Sequence, residues 1–136
     1  DDIDLCVNVT TVAGVDPVDA KVGVVFWYVD VNNFYVFEIA PNGKASVWRR
    51  QRGKWLSQVN WQNAEGANQG DGAVNALEVQ TAGSQATLSV NGNQFKQLTG
   101  SAPDNGQQIG ILAVSPAKGA ATFAFDDLKV VLPPKQ

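Results

Sequence analysis

GVVFWYVDVNNFYVFEI, Gly23 to Ile39, holds two apolar runs joined by Asp30-Val31-Asn32-Asn33. Val22 to Val29 is apolar on both alternating faces, as in a central strand between two packed layers. The Asp and Asn residues turn the chain, because their side chains bond the local backbone and tolerate left-handed geometry. Phe34 to Ala40 then runs back as a second strand.

Working outward, strand signals recur every eight to twelve residues or so, and helical periodicity is hard to find. Upstream lies Ile3 to Val12, ended by Ala13-Gly14 and an Asp16-Pro17 turn. Downstream, Pro41-Asn42-Gly43 leads to Lys44 to Arg50, Arg52-Gly53 forms a hairpin tip, and Trp55 to Trp61 returns. After the Gly- and Asn-rich loop Gln62 to Gly72 come Ala73 to Thr81, Gln85 to Val90 and Gln94 to Leu98. The last two are joined by Asn91-Gly92, the two-residue turn in which both positions take positive φ. A loop from Gly100 to Gly106 precedes Gln107 to Ser115, and the last strand spans Ala120 to Leu132 before a Pro-Pro tail at 133–136. About ten strands without a helix must close on themselves as a sandwich or barrel. In the last strand Phe123 and Phe125 share one face and Leu128, Val130 and Leu132 the other. The phase slips at Asp126-Asp127, as a β-bulge or bend would make it.

The chain has 136 residues, 44% of them apolar and 17% charged, which fits one globular domain over 1–136. A net charge of −3 speaks against a nucleic-acid binder, whose phosphate contacts demand a basic surface. No apolar run approaches the length of about 18 residues that a membrane span needs. Histidine is absent, which excludes His-based triads and His-ligated metal sites. Cys6 is the only cysteine, so no internal disulfide forms; its place in an alternating apolar segment predicts a small buried thiol. Asp1 in place of an initiator methionine, with an amide-rich and lightly charged composition, leads us to expect a processed, secreted or periplasmic chain.

These segments resemble the concanavalin A-like lectin/glucanase superfamily. The likeness runs through Gly23 to Ile39 and the Trp-Arg-Arg hairpin, Leu77-Glu78-Val79, Leu88-Ser89-Val90-Asn91-Gly92, Ile109-Gly110-Ile111 and Phe125-Asp126-Asp127-Leu128-Lys129-Val130. Within the superfamily the chain is most similar to bacterial secreted domains of the 3-keto-disaccharide hydrolase type. The resemblance implies an all-β jelly-roll sandwich of two curved antiparallel sheets, with sugars bound on the concave side. Fold analogy carries no chemistry by itself.

Glycosidases need a pair of carboxylates flanking the scissile bond. The Glu-x-Asp-x-x-Glu strand of the laminarinase-like branch is missing; Glu38 and Glu78 lie on different strands and Glu65 in a loop. No catalytic residue is therefore assigned. For Asp30, Asn32 and Asn33 an ordinary turn is favoured over calcium ligation. Asp126 and Asp127 are the metal candidates: the resemblance places a structural calcium at an aspartate of the last strand, while hydrogen bonding to backbone N–H groups at the bulge, or simple exposure of one of the pair, is the other reading.

Lys44, Arg49, Arg50, Arg52 and Lys54, half of the ten Lys and Arg, fall in a segment without an acid. Trp48, Trp55 and Trp61 flank or follow it. Tryptophan beside arginine suits sugar stacking or recognition of an anionic glycan by guanidinium forks; it equally suits inward tryptophans with arginine stacked above. Strand alternation puts Trp48 and Arg50 on one face, opposite Val47 and Arg49. Glu38 shares a face with Phe34 and Val36, placing it to pair with Arg50 or Arg49 on the next strand. The candidate ligand-binding residues are thus Trp48, Arg50, Glu38, Trp61 and Arg49.

Three functions follow. A non-catalytic, lectin-like carbohydrate-binding module of a secreted bacterial protein, with glycan on the concave sheet, is preferred. A glycoside hydrolase-type domain acting on a modified disaccharide requires at least two carboxylates in one pocket. A ligand-free structural or interaction domain requires a filled groove and buried aromatics.

Overall fold

The computed structural model describes residues 2–13, 20–114, 116 and 119–132. The turn expected around Gly14 to Pro17, the end of the ninth strand at Ser115 and the 133–136 tail lie outside the described residues. Ten strands and no helix are found among those described: β1 (Asp4–Ala13), β2 (Lys21–Asp30), β3 (Asn33–Ile39), β4 (Lys44–Gln51), β5 (Lys54–Asn63), β6 (Val74–Ala82), β7 (Gln85–Val90), β8 (Asn93–Thr99), β9 (Gln108–Val114) and β10 (Thr122–Val131). None of these segments is a helix long and apolar enough to cross a membrane.

The strands make two five-stranded antiparallel sheets, ordered β10-β1-β6-β7-β8 and β5-β4-β3-β2-β9. Alternation decides which side chains meet between them. Leu5, Val7 and Val9 of β1, Leu77 and Val79 of β6 and Leu88 and Val90 of β7 face Val22 and Val24 of β2, Phe37 and Ile39 of β3 and Val47 of β4. The hairpin tips follow turn chemistry. Arg52 and Gly53 have φ of 50° and 75°, and Asn91 and Gly92 have 51° and 82°. At Asp30 the turn reading holds: its carboxylate accepts from the Asn32 N–H (2.8 Å) and the Asn33 side-chain amide (2.9 Å).

Two bulges reset the alternation. In β10 the register passes from Cys6↔Lys129 to Asn8↔Asp126, so two residues of β10 oppose one of β1, and Asp127 sits at φ 53°. Phe125 then pairs with Val9 and Val130 with Leu5, both inward residues of β1, so the bulge returns the strand to the core side. Because β10 is an edge strand, Leu128 and Val130 stay about half exposed all the same. In β2 the pairing jumps from Phe26↔Tyr35 to Asp30↔Asn33, and Trp27 adopts φ 48°. Neighbours on a regular strand point to opposite faces, yet Phe26 and Trp27 are both buried. With Tyr35 they form a cluster whose ring centroids lie within 5.5 Å of one another.

Cys6 corrects the expectation of a buried thiol. It alternates with Leu5 and Val7 and so lies on the outer face of its sheet, half-buried between Glu78 of β6 and Lys129 of β10. Burial, then the Glu78 and Asp4 charges, push its thiol pKa up, with Lys129 pulling the other way. It is correspondingly poor as a thiolate nucleophile at neutral pH.

Candidate functional site

The outer face of the β5-β4-β3-β2-β9 sheet carries a cleft of about 430 Å3. Its lining draws on all five strands: Lys21 from β2, Phe34 and Glu38 from β3, Trp48 from β4, Trp55 from β5, and Leu112 and Val114 from β9. A cleft that takes a side chain from every strand of a sheet marks the hollow side of that sheet.

The register sets the floor. Across β3 and β4, Phe34 pairs with Arg50, Val36 with Trp48 and Glu38 with Ser46, so these six side chains share the outer face. The Arg52-Gly53 tip makes Arg50 face Trp55 across β4 and β5. The Arg50 guanidinium carbon lies 5.1 Å from the Trp55 ring centroid, and the Phe34 ring meets Trp55 edge-on at 5.6 Å. Trp55 is 47% exposed and Trp48 half-buried, so an apolar wall stands open to solvent. Gly23 of β2, opposite Glu38, is required by closeness: a Cβ there would collide with the Phe37 carbonyl oxygen and reach 3.0 Å from Glu38 Cα.

Glu38 is 4% exposed and Ser46 fully buried; among the described residues neither Glu38 Oε2 nor Ser46 Oγ has a hydrogen-bond partner. Burial raises the Glu38 pKa above the ordinary carboxylate value, and the Lys21 charge offsets part of that rise. The expected pairing of Glu38 with Arg50 or Arg49 is not formed. The tight turn at Pro41 to Gly43 fixes Ile39 against Ala45 and hence Glu38 against Ser46, leaving Arg50 four residues, roughly 13 Å, along the strand.

Of the residues singled out in the sequence, Glu38 and Trp48 line this cleft, and Arg50 borders it through Trp55. Trp61 is half-buried and touches the cleft through Lys21, whose Nζ lies 5.8 Å from its ring centroid. Arg49 is separated from the others: it points to the opposite face, its guanidinium carbon 5.1 Å from the Tyr35 ring centroid. Lys21, Phe34, Trp55, Leu112 and Val114 are the cleft residues that strand reading did not single out. For Trp55 the signal was present, since a two-residue tip between Gln51 and Lys54 forces Arg50 and Trp55 onto one face. Lys21 had none, because it arrives from another strand.

Asp126 and Asp127 are both exposed at the β10 bulge. The Asp127 N–H donates to Asp126 Oδ1 at 2.8 Å, and the Asn8 amide contacts Asp127 Oδ2 at 3.4 Å. Among the described residues no three acidic or cysteine side chains gather to hold a metal. Two carboxylates and one amide are the side-chain groups gathered at this bulge, and a calcium ion there would take the rest of its roughly six to eight oxygens from backbone carbonyls and water.

This two-sheet architecture is the concanavalin A-like jelly roll, the fold of carbohydrate-binding modules and galectins. The chain is similar to carbohydrate-binding module CBM66 from Bacillus subtilis (TM-score 0.71, 15% identity, covering 95% of this chain and 74% of that one). It is also similar to sheep galectin-11 in complex with glycerol (TM-score 0.68, 9% identity, 96% and 90% covered). A third is galectin LEC-6 of Caenorhabditis elegans (0.65, 16%, 97% and 84%). No protein-family model and no curated protein matches the sequence.

Proposed function

We propose that this protein is a non-catalytic, lectin-like carbohydrate-binding module that holds a glycan in the cleft on the hollow sheet, as part of a secreted bacterial protein. The observation that carries the reading is the open Trp48 and Trp55 wall beside Glu38, the acid that lines the same cleft. Sugar rings present an apolar C–H face that covers indoles and hydroxyl edges that hydrogen-bond polar groups at the cleft rim. The galectin and CBM66 likeness supports the choice of ligand class at the level of fold. Glu38 is the one acid lining the cleft, so the carboxylate pair of a glycosidase is not gathered there.

A glycan array followed by tryptophan-fluorescence titration tests it. Binding in the micromolar to millimolar range that Trp48→Ala abolishes, with the fold retained by circular dichroism, is the expected result. Binding that survives the loss of both Trp48 and Trp55, or none to any glycan, overturns it.

A further inference from the structure

A second cleft, about 490 Å3, opens at the end of the sandwich, where the β2–β3 turn, the end of β4 and the loop before β9 meet. It is rich in donors. Arg49 and Arg50 both line it, and each guanidinium is laid against a ring, Tyr35 for Arg49 and Trp55 for Arg50. A cation–π contact spends none of the N–H donors of the group, so they stay available to a ligand. Among the described residues neither guanidinium makes a hydrogen bond or an ion pair. The Arg49 platform is rigid: Tyr35 is buried, and its hydroxyl accepts the Ser101 N–H at 3.0 Å.

Trp27 lines the same cleft, 1% exposed, with an indole N–H that has no acceptor among the described residues. The acid of the lining, Asp104, is exposed on the loop and forms no ion pair with either arginine among the described residues. Two guanidinium groups that line one cleft with no carboxylate paired to them among the described residues call for an oxyanion.

We propose that this end cleft is an anion-binding subsite, in which Arg49 and Arg50 take the carboxylate or sulfate ester of an acidic sugar residue. Trp55 and Arg50 join the two clefts, so a chain whose neutral part lies over Trp48 and Trp55 reaches the arginines at its next residue. The sugar half of this inference rests on the function proposed above; the anion half rests on the arginines alone.

Calorimetric titration with three oligosaccharides of equal length, one neutral, one uronate-bearing and one sulfated, separates the two halves. At low salt the wild-type protein binds an acidic oligosaccharide about tenfold or more tighter than the neutral one, and the preference shrinks in high salt. Which acidic probe binds tighter identifies the oxyanion. Arg49→Gln erases the preference and leaves neutral affinity within about twofold, whereas Trp48→Ala weakens all three. Arg49→Lys, which keeps the charge but not the fork, is intermediate and guards against a packing defect at Tyr35. Equal affinity for acidic and neutral probes, or a preference that survives Arg49→Gln, overturns the proposal. If no oligosaccharide binds, the glycan reading falls; a titration with inorganic sulfate then upholds the anion half if Arg49→Gln abolishes it and overturns that half if nothing binds.

Discussion

Glu38 and Ser46 stand opposite each other across β3 and β4, both buried, each with an oxygen that has no hydrogen-bond partner among the described residues. A folded chain buries such a pair at a cost to stability, and that cost is measurable. The raised Glu38 pKa means that the native state holds its proton at pH values where the unfolded chain has released it. Stability from this group is therefore highest below the ordinary carboxylate pKa, and falls as pH climbs from that value to the folded one.

Glu38→Gln removes the charge at little change of shape. Thermal unfolding should place the variant about 1 kcal/mol above the parent at pH 8, with the difference vanishing near pH 4. A variant that is less stable at pH 8 would show that the carboxylate is paired, against the arrangement described.

Trp55→Ala and Trp48→Ala should each lower glycan affinity by about tenfold or more. Trp55 is 47% exposed and contributes little to the core, so its truncation should shift the unfolding free energy by under about 1 kcal/mol. Affinity measured by fluorescence quenching, beside urea unfolding, separates loss of the wall from loss of the fold.

Gly23→Ala puts a methyl group where the Phe37 carbonyl oxygen lies, between two paired strands that cannot part without losing their ladder. The expected cost exceeds about 2 kcal/mol, and glycan binding should fall with it because Glu38 shares the distortion. An alanine variant of native stability and affinity would refute this account of the floor.

Asn91 joins turn and tertiary roles. Its φ is positive, its Oδ1 accepts the Ala76 N–H, and its Nδ2 lies 2.9 Å from both Gly66 O and Asn75 Oδ1, tying the 64–72 loop to β6. Asn91→Ala should cost about 2–4 kcal/mol, and Asn91→Gly should recover only the backbone share, about 1 kcal/mol. Urea denaturation of the two variants gives the partition; an Asn91→Gly variant as stable as the parent would mean that the side-chain bonds contribute nothing.

Much of the candidate site could be read from strand alternation, and its gaps have a common cause. Trp48 and Arg50 were placed on one face because period two is local, and Glu38 was noticed because an acid inside an apolar strand is conspicuous. Its partner was misjudged because cross-strand register depends on how many residues the β3–β4 turn consumes, which residue type alone does not state. Trp27 passed unnoticed for a related reason: only a bulge lets it join Phe26 inside.

From the chain alone came an all-β fold of about ten strands closing as a sandwich or barrel, the hairpin tips at Arg52-Gly53 and Asn91-Gly92, and the slip at Asp126-Asp127, with the two-sheet sandwich implied by the resemblance. These are set by short-range physics: a two-residue period, left-handed turn positions and an apolar stripe that must be covered. Tertiary structure alone decided that Lys21 meets Trp61, that Arg49 leaves the first cleft for the second, and that Cys6 looks outward. Each depends on which strands become neighbours and in what register, and those pairings join residues far apart in sequence that no local pattern can specify.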